Sequence, residues 1–202
     1  MRLLVPVLII CAVFGLACNQ TTTHNSKELK YSGILKDGTG KPFHVPDFIA
    51  QAQNGQYIDQ NDLKGLVYTV NFFFTSCPDV CPEMNRKVKK IQDQFVDVWD
   101  FKSLSFTIDP DFDTMDVLRD YSVKMGVKAG KWYFLRTSQD SVMRLAKQGF
   151  LLPIEKLSGK QAYIHSSRIA LVTREGFIFG YYDSADESDF KQLNTDIKYL
   201  LR

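Results

Sequence analysis

Cysteine and histidine side chains could give this chain thiol or soft-metal chemistry, and its 202 residues include only four cysteines and three histidines. Cys77 and Cys81 are separated by three residues, and each is followed directly by a proline, Pro78 or Pro82. Thiolates attack disulfides and also bind soft metal ions. A pair this close can therefore close into a disulfide or hold a cation, and the spacing leaves both possibilities open.

A third donor is available in His165, which precedes a predicted closing hairpin. Two thiolates and one imidazole form a soft donor set that suits Cu(I) and can hold Cu(II). Zinc would need a fourth ligand, which Asp79 or water could supply. The other histidines, His24 and His44, lie in a polar segment and an irregular segment, and we expect both to be solvated.

Residues 1–17 predict a secretory signal, with Arg2 followed by an uncharged apolar run. The run is shorter than the roughly 20 residues that span a bilayer. Cys18 directly follows this segment, as in the bacterial lipoprotein signal, whose cysteine is acylated and becomes the new N-terminus. An ordinary cleaved signal and an uncleaved anchor are the alternatives. All three interpretations place the globular part on the extracytoplasmic (periplasmic) side of the cell envelope, and acylation would anchor it to the membrane surface.

Residues 18–36 are predicted to be a flexible tether, and residues 37–202 a single domain. Cys11 lies in the apolar run, so Cys77 and Cys81 are the domain's own cysteines. A disulfide between them would close a very small loop and add little stability. The pair is therefore predicted to serve redox or metal chemistry.

The overall composition is that of a globular protein, with 45% hydrophobic and 24% charged residues, which excludes wholesale disorder. Lys and Arg number 25 against 23 Asp and Glu. Because nucleic-acid-binding proteins normally carry a basic excess or patch, this balance argues against a nucleic-acid partner.

Strand and helix patterns alternate through the domain. The nearly continuous apolar run 66–74 predicts a strand buried on both faces. The next helix has an apolar face and an outward-facing basic set, namely Met84, Val88, Ile91 and Phe95 against Arg86, Lys87, Lys89 and Lys90. Before residue 136, the remaining predicted elements are an irregular hairpin in 37–65, a strand over 104–108, a helix capped by Thr114 and closed by Gly126, and a strand over 132–135. After it, they are a helix over 138–149, a loop over 151–164, a hairpin of 168–173 with 177–181, and a helix from about Ser188.

This order predicts an α/β, thioredoxin-like fold, in which helices flank a central mixed β-sheet that carries an N-terminal β-hairpin extension. Cys77 and Cys81 then follow the first buried strand at the carboxyl end of the sheet, where open α/β sheets place their sites. If a helix begins near Asp79, the positive end of its dipole would lie close to both sulfurs and would favour their thiolate forms. The segment entering the closing hairpin would bring His165 beside them.

The sequence TSCPDVCP at residues 75–82 resembles the signature of the Sco/SenC family, copper-binding thioredoxin-like proteins that assist cytochrome c oxidase assembly. Residues 62–65, 106–126 and 165–182 are similar to further family segments, and the resemblance runs from about residue 40 to the C-terminus. It implies that Cys77, Cys81 and His165 bind copper, as Cu(I) or Cu(II). It also implies that the partner is the dinuclear copper site of oxidase subunit II or a similar copper protein.

The chain departs from the family at Ile164, where an Asp commonly precedes the histidine. Such an Asp could orient the imidazole, so its absence bears on copper affinity.

The alternative function is that of a thiol–disulfide oxidoreductase that reduces a partner's copper-ligand cysteines. Cys77 would attack and Cys81 would resolve the mixed disulfide. A peroxiredoxin would have Thr at the position of Phe74, and a c-type haem protein would need Cys-x-x-Cys-His, so both are disfavoured.

Overall fold

The computed structural model describes residues 34–78, 80–152, 154–156 and 163–202. The predicted signal peptide, Cys18, His24 and most of the tether lie outside these residues. Within the described residues, no helix combines the length and the apolar character needed to cross a bilayer.

Nine strands are present among the described residues, seven in a main sheet and two in a separate pair. In chain order they are β1 (Ile49–Ala52), β2 (Tyr57–Asp59), β3 (Val67–Phe73), β4 (Phe101–Thr107), β5 (Trp132–Arg136), β6 (Ile154–Lys156), β7 (Tyr163–His165), β8 (Arg168–Val172) and β9 (Ile178–Asp183).

The main sheet has the order β2-β1-β5-β4-β3-β8-β9. Its centre is parallel, with β3 beside β4 and β4 beside β5. The outer strands run antiparallel, because β1 pairs with both β2 and β5, and β8 pairs with both β3 and β9. The predicted mixed sheet is therefore confirmed, and the N-terminal hairpin extends it by joining the edge of β5.

Four α-helices flank the sheet in the described part of the chain, namely α1 (Val80–Gln94), α2 (Met115–Met125), α3 (Gln139–Arg144) and α4 (Glu187–Leu200). A 3-10 helix (Gln60–Leu63) precedes β3, and a π-helical turn (Leu145–Gly149) continues α3. The predicted ends of α2 are confirmed. The Thr114 side chain accepts from the backbone N–H of Val117, and Gly126 closes the helix at φ 66°, a conformation that favours glycine.

The core is built around β3, whose seven residues are all buried. The predicted apolar face of α1 packs against the sheet, with Met84, Val88 and Ile91 fully buried. Burying such side chains provides the main driving force for holding the helix against the sheet.

One predicted outward-facing residue of α1 is instead buried. Lys87 is 6% exposed, lies 4.6 Å above the Phe190 ring and pairs with Glu187 at the start of α4. The prediction of an exposed Lys87 was wrong because its partners lie a hundred residues further along the chain, where helix periodicity gives no signal.

The predicted loop over 151–164 was also wrong in part. It contains β6 and β7, which pair antiparallel outside the main sheet with Ile154 opposite His165. Residues 153 and 157–162 lie outside the described part of the chain.

Candidate dithiol and metal centre

The turn between β3 and α1 carries both thiols. The Cys77 backbone N–H donates to the Phe74 carbonyl at 3.3 Å, and Cys81 lies in the first turn of α1, as predicted. Cys77 is half-buried, whereas Cys81 is only 1% exposed, and neither forms a disulfide. Access to the pair from solvent is therefore through Cys77.

The side chains of Cys77 and Cys81 are hydrogen-bonded to each other. This contact raises the pKa of the Cys81 thiol strongly, and burial and the nearby Asp113 carboxyl raise it further. A hydrogen bond with the Phe74 backbone acts in the opposite direction. The expectation that the helix end favours thiolates at both sulfurs is therefore wrong for Cys81, because the neighbouring thiol and burial outweigh the helix.

Asp113 carries a fully buried carboxyl group that holds the turn by hydrogen bonds to Thr75. It accepts hydrogen bonds from the Thr75 backbone N–H (3.1 Å), the Thr75 hydroxyl and the Thr107 hydroxyl. Burial raises its pKa, the threonine hydrogen bonds lower it, and nearby Asp109 raises it. The carboxyl thus connects the segment before Cys77 to the end of β4.

Tyr121 on α2 contributes a phenol to the same region. Its hydroxyl accepts from Asn85 Nδ2 at 3.0 Å, and Asn85 follows Cys81 by one helical turn. Burial raises the pKa of Tyr121, the Asn85 hydrogen bond lowers it, and the charges of Cys81 and Cys77 raise it. The phenol therefore lies within electrostatic range of both sulfurs.

His165 ends β7, so its backbone is held in the β6–β7 pair and does not form part of a loop. Its side chain, like those of Tyr163 and Ile164, lies outside the described part of the chain. Among the described residues, no three His, Cys, Asp or Glu side chains are arranged to hold a metal ion. The structure thus brings Cys77 and Cys81 together, while ligation by His165 stays a prediction.

His44, which we expected to be solvated, is exposed, and its Nδ1 lies 2.7 Å from the Val45 carbonyl oxygen. It borders a cavity of about 930 Å³ that neither Cys77 nor Cys81 lines. His44 therefore belongs to a different region from the dithiol.

Sequence reasoning missed the roles of Asp113 and Tyr121, although the sequence contains a signal for each of them. Asp113 immediately precedes the helix cap Thr114, so its carboxyl lies near the carboxyl end of β4. Asn71 interrupts an otherwise apolar strand, which indicates a buried polar network, and Asn85 follows Cys81 at the spacing that shares a helix face.

Comparison with known proteins agrees with this architecture. The family model described as SCO1/SenC matches residues 36–202. A solved SCO1/SenC family lipoprotein from Bacillus anthracis is 26% identical with a TM-score of 0.73, and the match covers 79% of this chain and 96% of that one.

A second solved structure is that of BsSco, described as a member of the Sco family of cytochrome c oxidase assembly proteins with a disulfide switch. It is 27% identical with a TM-score of 0.70, and the match covers 83% of this chain and 97% of that one. Arabidopsis thaliana ScoI, solved with copper bound, is 20% identical with a TM-score of 0.64 over 76% of this chain and 96% of that one, which supports the fold alone. The predicted thioredoxin-like fold and family resemblance are both confirmed.

Proposed function

Because the chain belongs to the SCO1/SenC family, we propose that it is a copper-binding assembly factor of the cell envelope. Its partner would be the dinuclear copper site of cytochrome c oxidase subunit II or a similar copper protein. The observation that carries the proposal is the contact between two thiols that form no disulfide, Cys77 and Cys81, at the β3–α1 turn.

The donor set fits copper. Cys77 and Cys81 supply two soft sulfur ligands, which suffice for a two-coordinate Cu(I) site. His165 would add the imidazole nitrogen that Cu(II) prefers. A bound copper ion would supply the metal that the partner site needs, and the half-buried Cys77 would be the ligand that the partner reaches first.

The proton on Cys81 must leave before its sulfur can bind a metal. Since the pKa of Cys81 is raised, this thiol is protonated in the reduced, metal-free protein at neutral pH. Metal ions bind the deprotonated form, so copper binding releases this proton and should strengthen as the pH rises.

Thiol–disulfide exchange is a second candidate function, favoured by the unequal exposure of the two sulfurs. The Cys77 thiolate would attack a partner disulfide, and the released partner sulfur would take up a proton. The Cys81 thiolate would then attack the Cys77 sulfur in the mixed disulfide. The products are a reduced partner with two thiols and an oxidised Cys77–Cys81 disulfide, so two electrons pass to the partner.

The expected location of the protein rests on its predicted signal segment and on Cys18. We infer that Cys18 is acylated after removal of residues 1–17 and that the lipid anchors the domain on the extracytoplasmic side of a membrane. The solved lipoprotein relative from Bacillus anthracis supports this inference. Mass spectrometry of the native protein should find a lipid mass on Cys18, whereas an intact Met1 or an unmodified Cys18 would contradict it.

An anaerobic copper titration of the reduced protein tests the proposed function. We expect one copper ion per chain in the parent and in a Cys18→Ser control, which keeps both Cys77 and Cys81. The double variant Cys77→Ser/Cys81→Ser should bind none at this stoichiometric site. A parent that binds no copper but reduces protein disulfides would favour the oxidoreductase.

A further inference from the structure

The chain leaves the π-helical turn through a residue with a left-handed backbone. Leu151 has φ 50°, and it is the one non-glycine residue with a positive φ in the part of the chain that the structure describes. A left-handed backbone brings the Cβ atom close to the following carbonyl oxygen, so leucine is strained there, whereas glycine and asparagine adopt this conformation more readily.

The nearest glycine does not make this bend. Gly149 ends the π-helical turn, and its own φ is not positive. A Cβ atom on Gly149 would lie 2.8 Å from Cγ of Pro46 and 3.0 Å from Cδ1 of Leu145. Gly149 therefore allows the turn to pack closely on Pro46, while the left-handed bend falls two residues later, on Leu151.

Hydrogen bonds on both sides of Leu151 fix the bend. The Leu152 backbone N–H donates to the Ala146 carbonyl oxygen at 2.9 Å, and the Phe150 carbonyl oxygen accepts from the Tyr181 hydroxyl at 2.8 Å. A bond from the residue after the left-handed position back into the last turn is a common way for a helix to end, and the left-handed position then usually holds glycine. A strained residue persists at such a position only where its surroundings determine the conformation.

The bend joins the strand that precedes the thiols to the strand that lies opposite the histidine. The ring of Phe150 is fully buried, and its centroid lies 5.7 Å from that of Phe72 in β3. On the other side, Leu152 is buried as well, and Ile154 begins β6 two residues later, opposite His165. The bend therefore connects a residue anchored on β3 to the strand that pairs with β7.

The Leu151 side chain does not account for the strained conformation. It is 47% exposed, whereas the side chains of Phe150 and Leu152 on either side are buried. An exposed apolar side chain gains little from packing, so what this position fixes is the direction of the backbone.

We propose that Leu151 is a positioning residue, whose left-handed backbone turns the chain into β6 and so sets where the β6–β7 pair lies relative to β3. The inference rests on the proposed function only through His165, because the direction of β6 decides where β7 and its histidine lie. Its main test needs no metal.

Hydrogen exchange of the reduced, metal-free chain, followed by mass spectrometry, measures how readily the backbone of β6 and β7 opens. Leu151→Val keeps an apolar side chain, but a β-branched residue tolerates a positive φ poorly. We expect exchange in β6 and β7 to become about tenfold faster, with exchange in β8 unchanged. The matched control is Leu201→Val, because Leu201 is also a partly exposed leucine at a helix end but has φ −90°. This control should leave exchange in β6 and β7 unchanged.

Leu151→Asn separates the backbone conformation from side-chain packing. Asparagine adopts the left-handed region more readily than leucine but lacks the apolar side chain. We therefore expect exchange in β6 and β7 of Leu151→Asn to be close to that of the parent and slower than that of Leu151→Val. Exchange in Leu151→Asn as fast as in Leu151→Val, or faster, would assign the effect to packing and overturn the proposal. Exchange at the parental rate in Leu151→Val would overturn it as well.

Copper binding gives a second readout, which separates this inference from the proposed function. Cu(II) affinity should fall a few-fold in Leu151→Val and keep the parental value in Leu151→Asn and Leu201→Val, while Cu(I) affinity should be unchanged in all three variants. Equal Cu(II) affinities in Leu151→Val and the parent would contradict a positioning role toward His165. A parent that binds no copper would instead overturn the proposed function, and the exchange rates would still test the role of Leu151 in directing β6.

Discussion

The β3–α1 turn and the β6–β7 pair carry the proposed ligands, and they are built in different ways. The turn continues β3, a fully buried inner strand of the main sheet, and Asp113 holds it through Thr75. The β6–β7 pair lies outside the main sheet and consists of two strands of three residues. Two-stranded ribbons are marginally stable alone. The difference indicates that Cys77 and Cys81 would form a fixed part of the proposed site, while the position of His165 would depend on a small accessory element.

The two regions should therefore respond differently to change. Variants at the turn should abolish metal binding. Variants in the β6–β7 pair should weaken only the binding of Cu(II), which depends on the His165 imidazole.

The largest expected effect is the loss of either thiol. Cys77→Ser or Cys81→Ser replaces a soft sulfur with a hydroxyl that binds Cu(I) poorly. Each variant should lower Cu(I) affinity by about a hundredfold or more, equivalent to about 2.7 kcal/mol, in competition with a chromogenic chelator. Cys18→Ser serves as the control, because it replaces a cysteine outside the pair. An affinity equal to that of the control would show that the replaced cysteine is not a copper ligand.

His165→Ala is expected to have an intermediate effect. It removes the imidazole and leaves the two sulfurs, so Cu(II) affinity should fall at least about tenfold, which corresponds to about 1.4 kcal/mol. Cu(I) binding should be largely retained. The control is His44→Ala, since His44 is exposed and borders a different region. Equal Cu(II) affinities in the two variants would place His165 outside the site.

Ile154→Val tests whether the β6–β7 pair positions the histidine. Ile154 is 1% exposed and lies opposite His165, whereas Ile169 in β8 is fully buried in the main sheet. Each Ile→Val change should lower the free energy of unfolding by about 0.5–1.5 kcal/mol in urea titrations. Only Ile154→Val should also weaken Cu(II) binding, by a few-fold. Equal losses of Cu(II) affinity in both variants would contradict a separate accessory element.

The smallest effect concerns the pH dependence of stability at the turn. The pKa of Asp113 is raised above the ordinary value for an aspartate, mainly by burial, so the folded protein favours the protonated carboxyl. Its stabilising contribution is fully present below the pKa of the unfolded chain and is lost as the pH rises through the folded-state pKa. Relative to the parent, Asp113→Asn should therefore gain stability as the pH rises above about 4, the ordinary pKa of an aspartate.

Urea unfolding at several pH values measures this trend, with Asp116→Asn as the control because that side chain is 85% exposed. A stability difference between Asp113→Asn and the parent that does not change with pH would show that the Asp113 carboxyl has the same protonation behaviour in the folded and unfolded chains.

The turn was predictable from sequence because its signals are local. An apolar run, two cysteines each followed by a proline, and a helical apolar face occur in order, and each element forms where predicted. The cap at Thr114 and the end at Gly126 are equally local.

What sequence reasoning missed depends on partners distant in the chain. The burial of Lys87 depends on Phe190 and Glu187, and the pairing of β6 with β7 follows no strong alternation pattern. The raised pKa of Cys81 arises from burial and from contacts that exist only in the folded protein. The argument from the helix end alone therefore predicted a pKa shift of the wrong direction for Cys81.

The central claim is that Cys77 and Cys81 form the fixed part of one copper site and His165 completes it. X-ray absorption spectroscopy of the copper-loaded protein tests this most directly, because it distinguishes sulfur from nitrogen ligands. We expect two sulfur ligands in both the parent and His165→Ala, and an imidazole signature on Cu(II) in the parent alone. Copper bound only by nitrogen or oxygen in the parent, or an imidazole signature that survives His165→Ala but not His44→Ala, would contradict the account.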